Sequence, residues 1–442
     1  MFYKPWPSFC VNTGMLVMLA SCNSGSTTGG GMSTSTNCAA GTVAYDSGGT
    51  NGYGRRAVVN DDQITAPTDL AFVPGAGMAF VVIEQEGYAV YYNGGCDAVN
   101  RVDLRTTASG GIGVVSGGEQ GLLNIEFHPD YANNRYVFFY HTSVDSTTNS
   151  ISRMTLTFDV GGAMVLGDAR RIIDFRKASS AAAANHNGGG LVFAPDNSLL
   201  ASIGDGGSDS STAQADTRLN GKVIRIMPNL TVGAGGYSIP SGNMFTATNP
   251  LCTDVAVSAQ ACPEILAKGL RNPFRMARDG NVIYLGDVGS GTEEINSFNY
   301  TVNTINFGWP TYDGFEASPS LPGYRNPIVY YTRDGATAGA FRSEDPMGSM
   351  SGAATIIIGD VYRGSQYDAD LNGGALLFGD FYDGYLRAVG VNSSGEITDA
   401  DAAPGAHLVH AGAISSMVQG PDGYLYLVSL YGPSTVYRLV RP

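Results

Sequence analysis

The sequence has few charged residues and no long amphipathic or apolar stretch. Of its 442 residues, 14% are Asp, Glu, Lys or Arg, and the net charge at pH 7 is −14. No long segment keeps the apolar period of 3.6 residues that is typical of a surface helix. Because no stripe of basic residues could neutralise phosphates, we do not expect the chain to bind nucleic acid.

The abundant residues indicate a protein of strands and turns. The chain contains 60 glycines and 24 tyrosines. Glycine permits tight turns, and aromatic residues favour strands. The chain is long for one ordinary domain, but closed β folds with insertions reach this length. The composition therefore predicts an all-β protein.

Cysteine is scarce, and its spacing favours disulfides over a metal site. Cys252 and Cys262 lie close together in a loop of polar and small residues, and we predict that they are bonded. Cys38 and Cys96 then pair by elimination. The alternative is a zinc site, but neither a Cys-x-x-Cys spacing nor a neighbouring histidine supports it.

The N-terminal region predicts export. A short apolar run at 15–20 leads into Leu-Ala-Ser-Cys, which resembles a bacterial lipoprotein box with Cys22 as the lipidated residue. The prediction is a signal peptide at 1–21, a Gly/Ser/Thr-rich tether at 22–40 and a folded domain at 41–442. The alternative is a plain secretory signal with a chance cysteine. Both place the protein in the periplasm or at the cell surface, and the first anchors it to the outer membrane by lipid.

A strand–turn–strand motif recurs six times along the chain. Most copies carry a Pro-Asp-Gly-like turn between two apolar strands, and their spacing suits one four-stranded blade each. Two-sheet sandwiches do not give a turn motif repeated at this spacing. The prediction is a six-bladed β-propeller with long inter-blade loops, and the insertions at 208–218, 226–262 and 311–355 are expected to rim a cleft. The copies lie at 69–83, 122–140, 191–203, 274–287, 375–389 and 415–429.

The strongest candidate for an active centre is the pair His186 and Asp205. His186 lies in a glycine-rich turn before the third copy, and Asp205 follows the second strand of the same hairpin. The two ends of that hairpin converge at one mouth of a sheet. The other four histidines are expected to serve structure at turns, strands and the rim. They are His128, His141, His407 and His410.

Two further clusters carry possible ligand groups. Arg271 could hold an anionic ligand or polarise a carbonyl, although it could also satisfy carbonyls at a blade edge. The segment 286–296 brings turn carbonyls and carboxylates together, and such hard oxygen ligands suit Ca²⁺. The alternative for this segment is a polar hairpin loop.

Together these clusters resemble one known family. NHNGGGLVFAPD followed by GDGG, GLRNPFR, GDVGSGTEEIN, NFGWP and GLLNIEFHPD are similar to the soluble PQQ-dependent sugar dehydrogenases of the glucose/sorbosone dehydrogenase superfamily. GDVYRG and GDFYDG resemble its bacterial members related to the hedgehog-interacting-protein propeller. The likeness runs from about Asp69 to Arg441, and its motifs arrive in the family's order.

The resemblance implies a quinoprotein mechanism. His186 would be the general base that takes the substrate hydroxyl proton while hydride passes to PQQ. Asp205 would orient the other ring nitrogen, and Arg271 would lie against the quinone carbonyl with Asn272 beside it.

The resemblance also implies further ligands. Glu119 or Gln120 matches a cofactor-contacting amide, and Asn185 adjoins the catalytic histidine. The Gly289 and Ser290 carbonyls would bind the Ca²⁺ that polarises PQQ, and a structural Ca²⁺ would lie at Glu294 and the Phe307 backbone. These residues match the family motifs by position.

The sequence departs from the family where basic residues hold the PQQ carboxylates. Tyr382, Ala413 and Ser415 stand where glucose-oxidising members have a lysine and two arginines. A tricarboxylate cofactor would need other cations, and Lys268, Arg363 and Arg387 are the candidates.

Three functions follow as hypotheses. The first is an exported, PQQ- and Ca²⁺-dependent dehydrogenase that oxidises an aldose or related polyol and passes electrons to a periplasmic acceptor. The second is a non-catalytic, calcium-stabilised propeller that binds a glycan or a protein partner. A lactonase-type hydrolase is the third, but it needs several carboxylates on one metal. Cations from elsewhere in the chain that line the centre would favour the first over the second.

Overall fold

Six sheets form the protein, and their strands pair antiparallel except where a short marginal strand joins the third sheet. The computed structural model describes residues 43–45, 52–59, 63–177, 185–252, 258–333, 354–367, 371, 373–398 and 408–441. All of them belong to one compact unit, Thr36–Pro442. The described part contains only one short α-helix, α1 (Tyr131–Asn134), and two 3₁₀ turns, and none of these could cross a membrane.

The first three blades follow chain order. Blade one contains β3 (Pro67–Phe72), β4 (Phe80–Glu84), β5 (Tyr88–Tyr92) and β6 (Asn100–Asp103). Blade two contains β7 (Leu122–Phe127), β8 (Tyr136–Thr142), β9 (Thr148–Phe158) and β10 (Met164–Arg176). Blade three contains β11 (Leu191–Phe193), β12 (Leu199–Ile203), β13 (Lys222–Pro228) and β15 (Ile265–Lys268), with β14 (Tyr237–Ser238) and β19 (Ile305–Asn306) at its margins.

The last blade is closed by the N-terminal part of the chain. Blade four contains β16 (Pro273–Asp279), β17 (Val282–Asp287), β18 (Thr292–Asn299) and β20 (Val329–Thr332). Blade five contains β21 (Ile356–Tyr362), β22 (Ala375–Asp380), β23 (Tyr385–Gly390) and β24 (Val409–His410). Blade six contains β25 (Ile414–Gln419), β26 (Leu425–Ser429) and β27 (Thr435–Val440), and its outer strands are β2 (Gly54–Ala57) and β1 (Ala44–Tyr45).

The predicted six-bladed propeller is confirmed. The first strands of the blades, β3, β7, β11, β16, β21 and β25, contact one another in a closed ring. Pairing of β2 with β27 joins the two ends of the chain and closes that ring. The long loops lie mostly inside blades three and four, where 204–221 joins β12 to β13 and 300–328 precedes β20.

Strand alternation explains why the blades assemble. Six buried apolar clusters lie between neighbouring blades, one at each interface. In β4, Val81 and Ile83 pack toward blade two, whereas Phe80 and Val82 pack toward blade six. Successive side chains of a strand point to opposite faces, so each blade buries both faces only between two others.

A single arginine ties the inner strands together across the ring. Arg275 of β16 is 3% exposed, and its guanidinium donates to the carbonyls of Ser415 at 2.9 Å, Leu123 at 2.9 Å and Thr68 at 2.6 Å. These acceptors belong to the first strands of blades six, two and one. A planar fork with five donors can serve three strands at once.

The predicted disulfide between Cys252 and Cys262 is present. It spans the loop between β14 and β15. Cys38, and with it the predicted Cys38–Cys96 bond, lies outside the described residues, as do His407, the predicted signal peptide and the tether.

Candidate functional site

The structure brings His186 and Asp205 together as the sequence predicts. The His186 Nδ1 lies 2.7 Å from an oxygen of Asp205. His186 takes a left-handed backbone conformation with φ of 52°, in the turn that leads into β11. The neighbouring strand end approaches that turn so closely that a Cβ on Gly204 would lie 2.0 Å from the His186 carbonyl oxygen. Glycine at this position therefore permits the pair to form.

The Asp205 carboxylate is buried and fully engaged. It accepts hydrogen bonds from His186 Nδ1, from the Gly207 backbone at 2.8 Å and from Trp309 Nε1 at 2.9 Å. Burial raises its pKa, but these hydrogen bonds outweigh that effect and hold the pKa below its usual range. An ionised Asp205 accepts the proton on Nδ1, so in the neutral imidazole the nitrogen with the free lone pair is Nε2. No described residue binds that nitrogen, and the side chain is 14% exposed.

Asp287 and Glu119 hold the arginine segment against the histidine turn. Asp287 accepts the backbone N–H groups of Arg271 at 2.9 Å and Asn272 at 2.7 Å. The Asn272 side chain accepts from Gly188 and donates to Glu119, and the same Glu119 oxygen accepts the His186 backbone N–H at 2.6 Å. One hydrogen-bonded unit therefore contains residues of three blades.

The Arg271 side chain reaches the turn after β17. Its Nη1 donates to the Val288 carbonyl at 2.8 Å, and the guanidinium lies 5.6 Å from the Trp309 ring centroid. The Arg271 carbonyl accepts the Asp205 backbone N–H at 2.8 Å. Arg271 is thus joined to the His186–Asp205 pair through both its backbone and the shared tryptophan.

Of the two residues predicted at the cofactor-contacting amide position, Glu119 contacts the His186 turn. Gln120 is buried, and its side chain donates to the Ser146 carbonyl in blade two. Asn185 precedes His186 and lies beside Gly207. The sequence alone could not decide between Glu119 and Gln120. Their side chains point to opposite sides of the chain, and only the fold shows which side faces the site.

Two of the proposed substitute cations are engaged elsewhere in the fold. Arg271 precedes β16, whereas Arg363 follows β21 and pairs with Asp279 at the far end of β16. Because β16 and β21 are both first strands of a blade, Arg363 lies on the face opposite His186, and its assignment to the cofactor site is wrong. Arg387 is buried and paired with Asp383.

Lys268 remains on the site face, although it is not brought to the centre. It ends β15, in the outer part of blade three, and its Nζ lies 2.8 Å from Asp216.

Two cations on the site side were missed by sequence reasoning. Arg333 follows β20 directly and donates to the Gly289 carbonyl at 2.7 Å. Lys177 is buried, and desolvation lowers its pKa to about 8 although Asp145 and Glu119 oppose that change. Neither residue belongs to a distinctive motif, so position in the fold is the only signal that identifies them.

The residues at the family's basic positions supply no charge. Tyr382 is 55% exposed in the turn after β22, where its ring contacts Phe381. Ser415 is buried and donates to the Pro67 carbonyl, and Ala413 accepts the Leu430 backbone N–H. The predicted departure from the family pattern therefore stands.

Glu294, one of the two proposed structural calcium ligands, lies in a buried acidic cluster that suits a cation. Burial raises the pKa of Glu294 to about 8 and that of Asp287 to about 7. The side-chain oxygen of Asn296 next to Glu294 is buried and has no hydrogen-bond partner among the described residues. The backbone N–H of Phe307 donates to the Lys268 carbonyl at 2.9 Å. A buried carboxylate beside an amide oxygen without a partner is a donor set that suits Ca²⁺.

The proposed catalytic calcium position is different, because a cation already occupies it. Gly289 offers its carbonyl to Arg333, and the Ser290 backbone N–H faces Asp313 at 3.3 Å. The residues present do not fit a calcium ion at the Gly289 carbonyl. That part of the expected metal site is corrected by the structure.

Fold and site together define a six-bladed propeller with a buried histidine–aspartate pair at the entrance of its inner strands. The chain belongs to the glucose/sorbosone dehydrogenase family, whose family model matches residues 64–438. Among relatives, the HIPL2 protein of Arabidopsis thaliana is 30% identical over 69% of this chain, which spans 45% of that protein. The aldose sugar dehydrogenase YliI of Escherichia coli is 25% identical over 84% of this chain and 89% of its own length.

Solved structures support the same fold. The PQQ-bound form of aldose sugar dehydrogenase from Streptomyces coelicolor superposes with a TM-score of 0.62 at 20% identity, covering 88% of this chain and 99% of that one. The apo form of the Escherichia coli aldose sugar dehydrogenase gives 0.63 at 20% identity, covering 88% and 100%.

Proposed function

We propose that the protein is an exported sugar dehydrogenase that oxidises an aldose or a related polyol with PQQ as hydride acceptor. The observation that carries this proposal is the His186–Asp205 pair, with its free Nε2, beside Arg271. Membership of the glucose/sorbosone dehydrogenase family supports it, and so does the likeness to a PQQ-bound aldose sugar dehydrogenase.

The residues of the site account for the proton side of the reaction. The substrate hydroxyl gives its proton to His186 Nε2, its C–H carbon loses a hydride, and a carbonyl carbon forms. The ionised Asp205 stabilises the imidazolium that results, and Trp309 and Gly207 keep that carboxylate in place. PQQ, when bound, supplies the acceptor for the hydride and its electron pair.

The polar groups of the site suit an anionic planar cofactor. Arg271 and Asn272 are fixed in place by Asp287. Arg333 and Lys177 add positive charge on the same side of the ring. Cationic side chains of this kind would form ion pairs with the carboxylates of the cofactor. Calcium would bind at Glu294 and Asn296, where it would stabilise the turns of blade four.

Export to the periplasm or cell surface is part of the proposal, with a lipid on Cys22 as the anchor and a periplasmic protein or quinone as the electron acceptor. The signal-like N-terminus supports it. The disulfide between Cys252 and Cys262 also supports it, because such bonds persist in oxidising compartments.

A second candidate function is a calcium-stabilised propeller without catalysis that binds a glycan or a protein. The specific observation in its favour is the neutral set Tyr382, Ala413 and Ser415 at the family's basic positions. An exposed tyrosine on the site face is also a common sugar-stacking group.

PQQ binding followed by sugar addition separates the two functions. Purified protein would be titrated with PQQ and Ca²⁺ while the quinone absorbance is followed, and a panel of aldoses would then be added. We expect saturable binding and sugar-dependent bleaching, which His186→Gln abolishes without loss of PQQ binding. Folded protein that fails to bind PQQ at concentrations of about 10 μM would exclude the dehydrogenase and leave the binding protein.

A further inference from the structure

We propose that Arg333 takes the place of a metal ion at the Gly289 carbonyl, so that the anionic quinone binds this chain without calcium at that position. The proposal rests on the proposed function, since it concerns how the same site holds its cofactor. It also names a source for the positive charge that Tyr382, Ala413 and Ser415 do not supply.

Arg333 is fixed by several hydrogen bonds. Its Nη2 donates to the Gly289 carbonyl at 2.7 Å and lies 2.8 Å from Glu293, and its Nε donates to the same Glu293 oxygen at 3.0 Å. The Arg333 backbone N–H donates to Gly291 at 3.0 Å. Glu293 is fully buried, and its other oxygen accepts the Ile356 backbone N–H at 2.9 Å. The guanidinium is therefore held in one place before any ligand arrives.

The position of Arg333 connects it to the catalytic centre. Arg271 donates to the Val288 carbonyl, and Arg333 donates to the carbonyl of the next residue, Gly289. Two guanidinium groups thus lie along one turn, and the first of them belongs to the unit that contains His186. Tyr382, at the family's lysine position, is within electrostatic range of both Arg333 and Glu119. Arg333 therefore lies on the site face of the ring.

Arg333 and calcium cannot share the carbonyl. Calcium binds oxygen at about 2.3–2.6 Å, so the ion would lie no more than about 5 Å from a guanidinium nitrogen that is itself 2.7 Å from that oxygen. Two cations at such a distance repel each other, and arginine cannot lose its charge to relieve the repulsion. Calcium at Gly289 requires that Arg333 leave.

The guanidinium is also suited to the cofactor itself. The Arg333 side chain is 26% exposed, and its Nη1 has no hydrogen-bond partner among the described residues. A planar cation with donors to spare matches a carboxylate or a quinone oxygen, and it is weakly hydrated. Arg333 can therefore contact the bound anion while it remains bonded to Glu293 and Gly289.

The test compares PQQ binding by EDTA-treated and calcium-loaded protein. Variants Arg333→Ala and Arg333→Lys are compared with Arg363→Gln, a matched control whose arginine forms a similar ion pair on the opposite face. Kd for PQQ is measured from tryptophan quenching, and circular dichroism confirms that each sample is folded. We expect wild type to bind PQQ equally well, within about threefold, in EDTA and in calcium.

The Arg333→Ala variant should lose about 30-fold or more in PQQ affinity in EDTA and recover with calcium, because the ion can then reach the Gly289 carbonyl. Arg333→Lys should lose less PQQ affinity than Arg333→Ala, and Arg363→Gln should bind PQQ as tightly as wild type. Calcium content gives a second readout, since PQQ-loaded Arg333→Ala should hold one more ion per chain than PQQ-loaded wild type.

The role of Arg333 is refuted, while the proposed function stands, if wild type binds PQQ only with calcium and Arg333→Ala binds PQQ as wild type does. If wild type binds no PQQ with or without calcium, the proposed function falls and this inference falls with it. Should Arg333→Ala not fold, the calcium dependence of wild type decides the question without it.

Discussion

Replacing Asp205 by asparagine removes the charge that fixes the tautomer of His186. The carboxylate accepts three hydrogen bonds, from His186, Gly207 and Trp309. An asparagine offers one oxygen and one NH₂ group. If the oxygen stays toward His186, the NH₂ opposes the Trp309 N–H. If the side chain flips, the NH₂ opposes the Nδ1 proton and moves that proton to Nε2, where it blocks the base.

Either arrangement leaves a buried donor unpaired, which costs about 1–3 kcal/mol of folding stability. The flipped form also removes the proton acceptor, so we expect a fall of about 10²- to 10⁴-fold in the rate of quinone reduction by sugar. PQQ affinity should hardly change, because the Asp205 side chain bonds to His186, Gly207 and Trp309 and to none of the proposed cofactor cations. The assay is single-turnover bleaching of PQQ-loaded protein after mixing with saturating aldose.

Trp309→Phe is the matched control for Asp205→Asn. It removes one donor from the same carboxylate but leaves the charge and the His186 hydrogen bond. Its rate should fall by less than about tenfold. Asp205→Asn that binds PQQ and reduces it at the wild-type rate would refute the assignment of His186 as the base.

Three further predictions concern stability. Arg275→Met leaves three buried carbonyls without a donor and should lower the free energy of unfolding by about 3–5 kcal/mol, whereas Arg278→Met, at an exposed position, should change it by less than about 0.5 kcal/mol in urea titrations. Burial lowers the pKa of His141 to about 3, so the unfolded chain takes up a proton below pH 6.5 that the folded chain refuses. Stability present above that pH is lost as pH falls, by about 1.4 kcal/mol per unit, and His141→Gln should remove this component from a series of unfolding curves between pH 7 and about 4. Calcium at about 100 times its Kd should stabilise wild type by about 3 kcal/mol in thermal unfolding but leave Glu294→Gln unchanged.

The blades could be predicted from sequence because each is a local repeat. A strand, a tight turn and a second strand occupy few residues, and every copy repeats the same turn chemistry. The closure of blade six could not be predicted in the same way. β2 has the sequence Gly-Arg-Arg-Ala, which carries no alternating apolar signal, and its partner β27 lies at the other end of the chain.

The residues of the site show the same difference between local contacts, which the sequence predicts, and long-range contacts, which it does not. His186 and Asp205 belong to one hairpin, so their meeting follows from local structure. Trp309 reaches Asp205 from 104 residues away, and Arg333 comes from another strand end. Both contacts depend on how blades and loops pack, which residue type alone does not reveal.

The error over Arg363 has a general cause. The first strand of every blade crosses the ring from one face to the other, so a residue before it lies on one face and a residue after it lies on the opposite face. Arg271 precedes β16, whereas Arg363 follows β21. Strand position within the blade, and not positive charge, decides which cations can reach the site.

The most direct test of the central claim is hydride transfer from the sugar. PQQ-loaded protein would be mixed with an aldose that carries either hydrogen or deuterium at C1, and bleaching of the quinone would be followed in a single turnover. The account predicts bleaching with both sugars, slower for the deuterated one, and no bleaching in His186→Gln. Two results would contradict it. One is PQQ-loaded protein whose quinone is bleached by no aldose. The other is a His186→Gln variant whose quinone is bleached as fast as that of wild type.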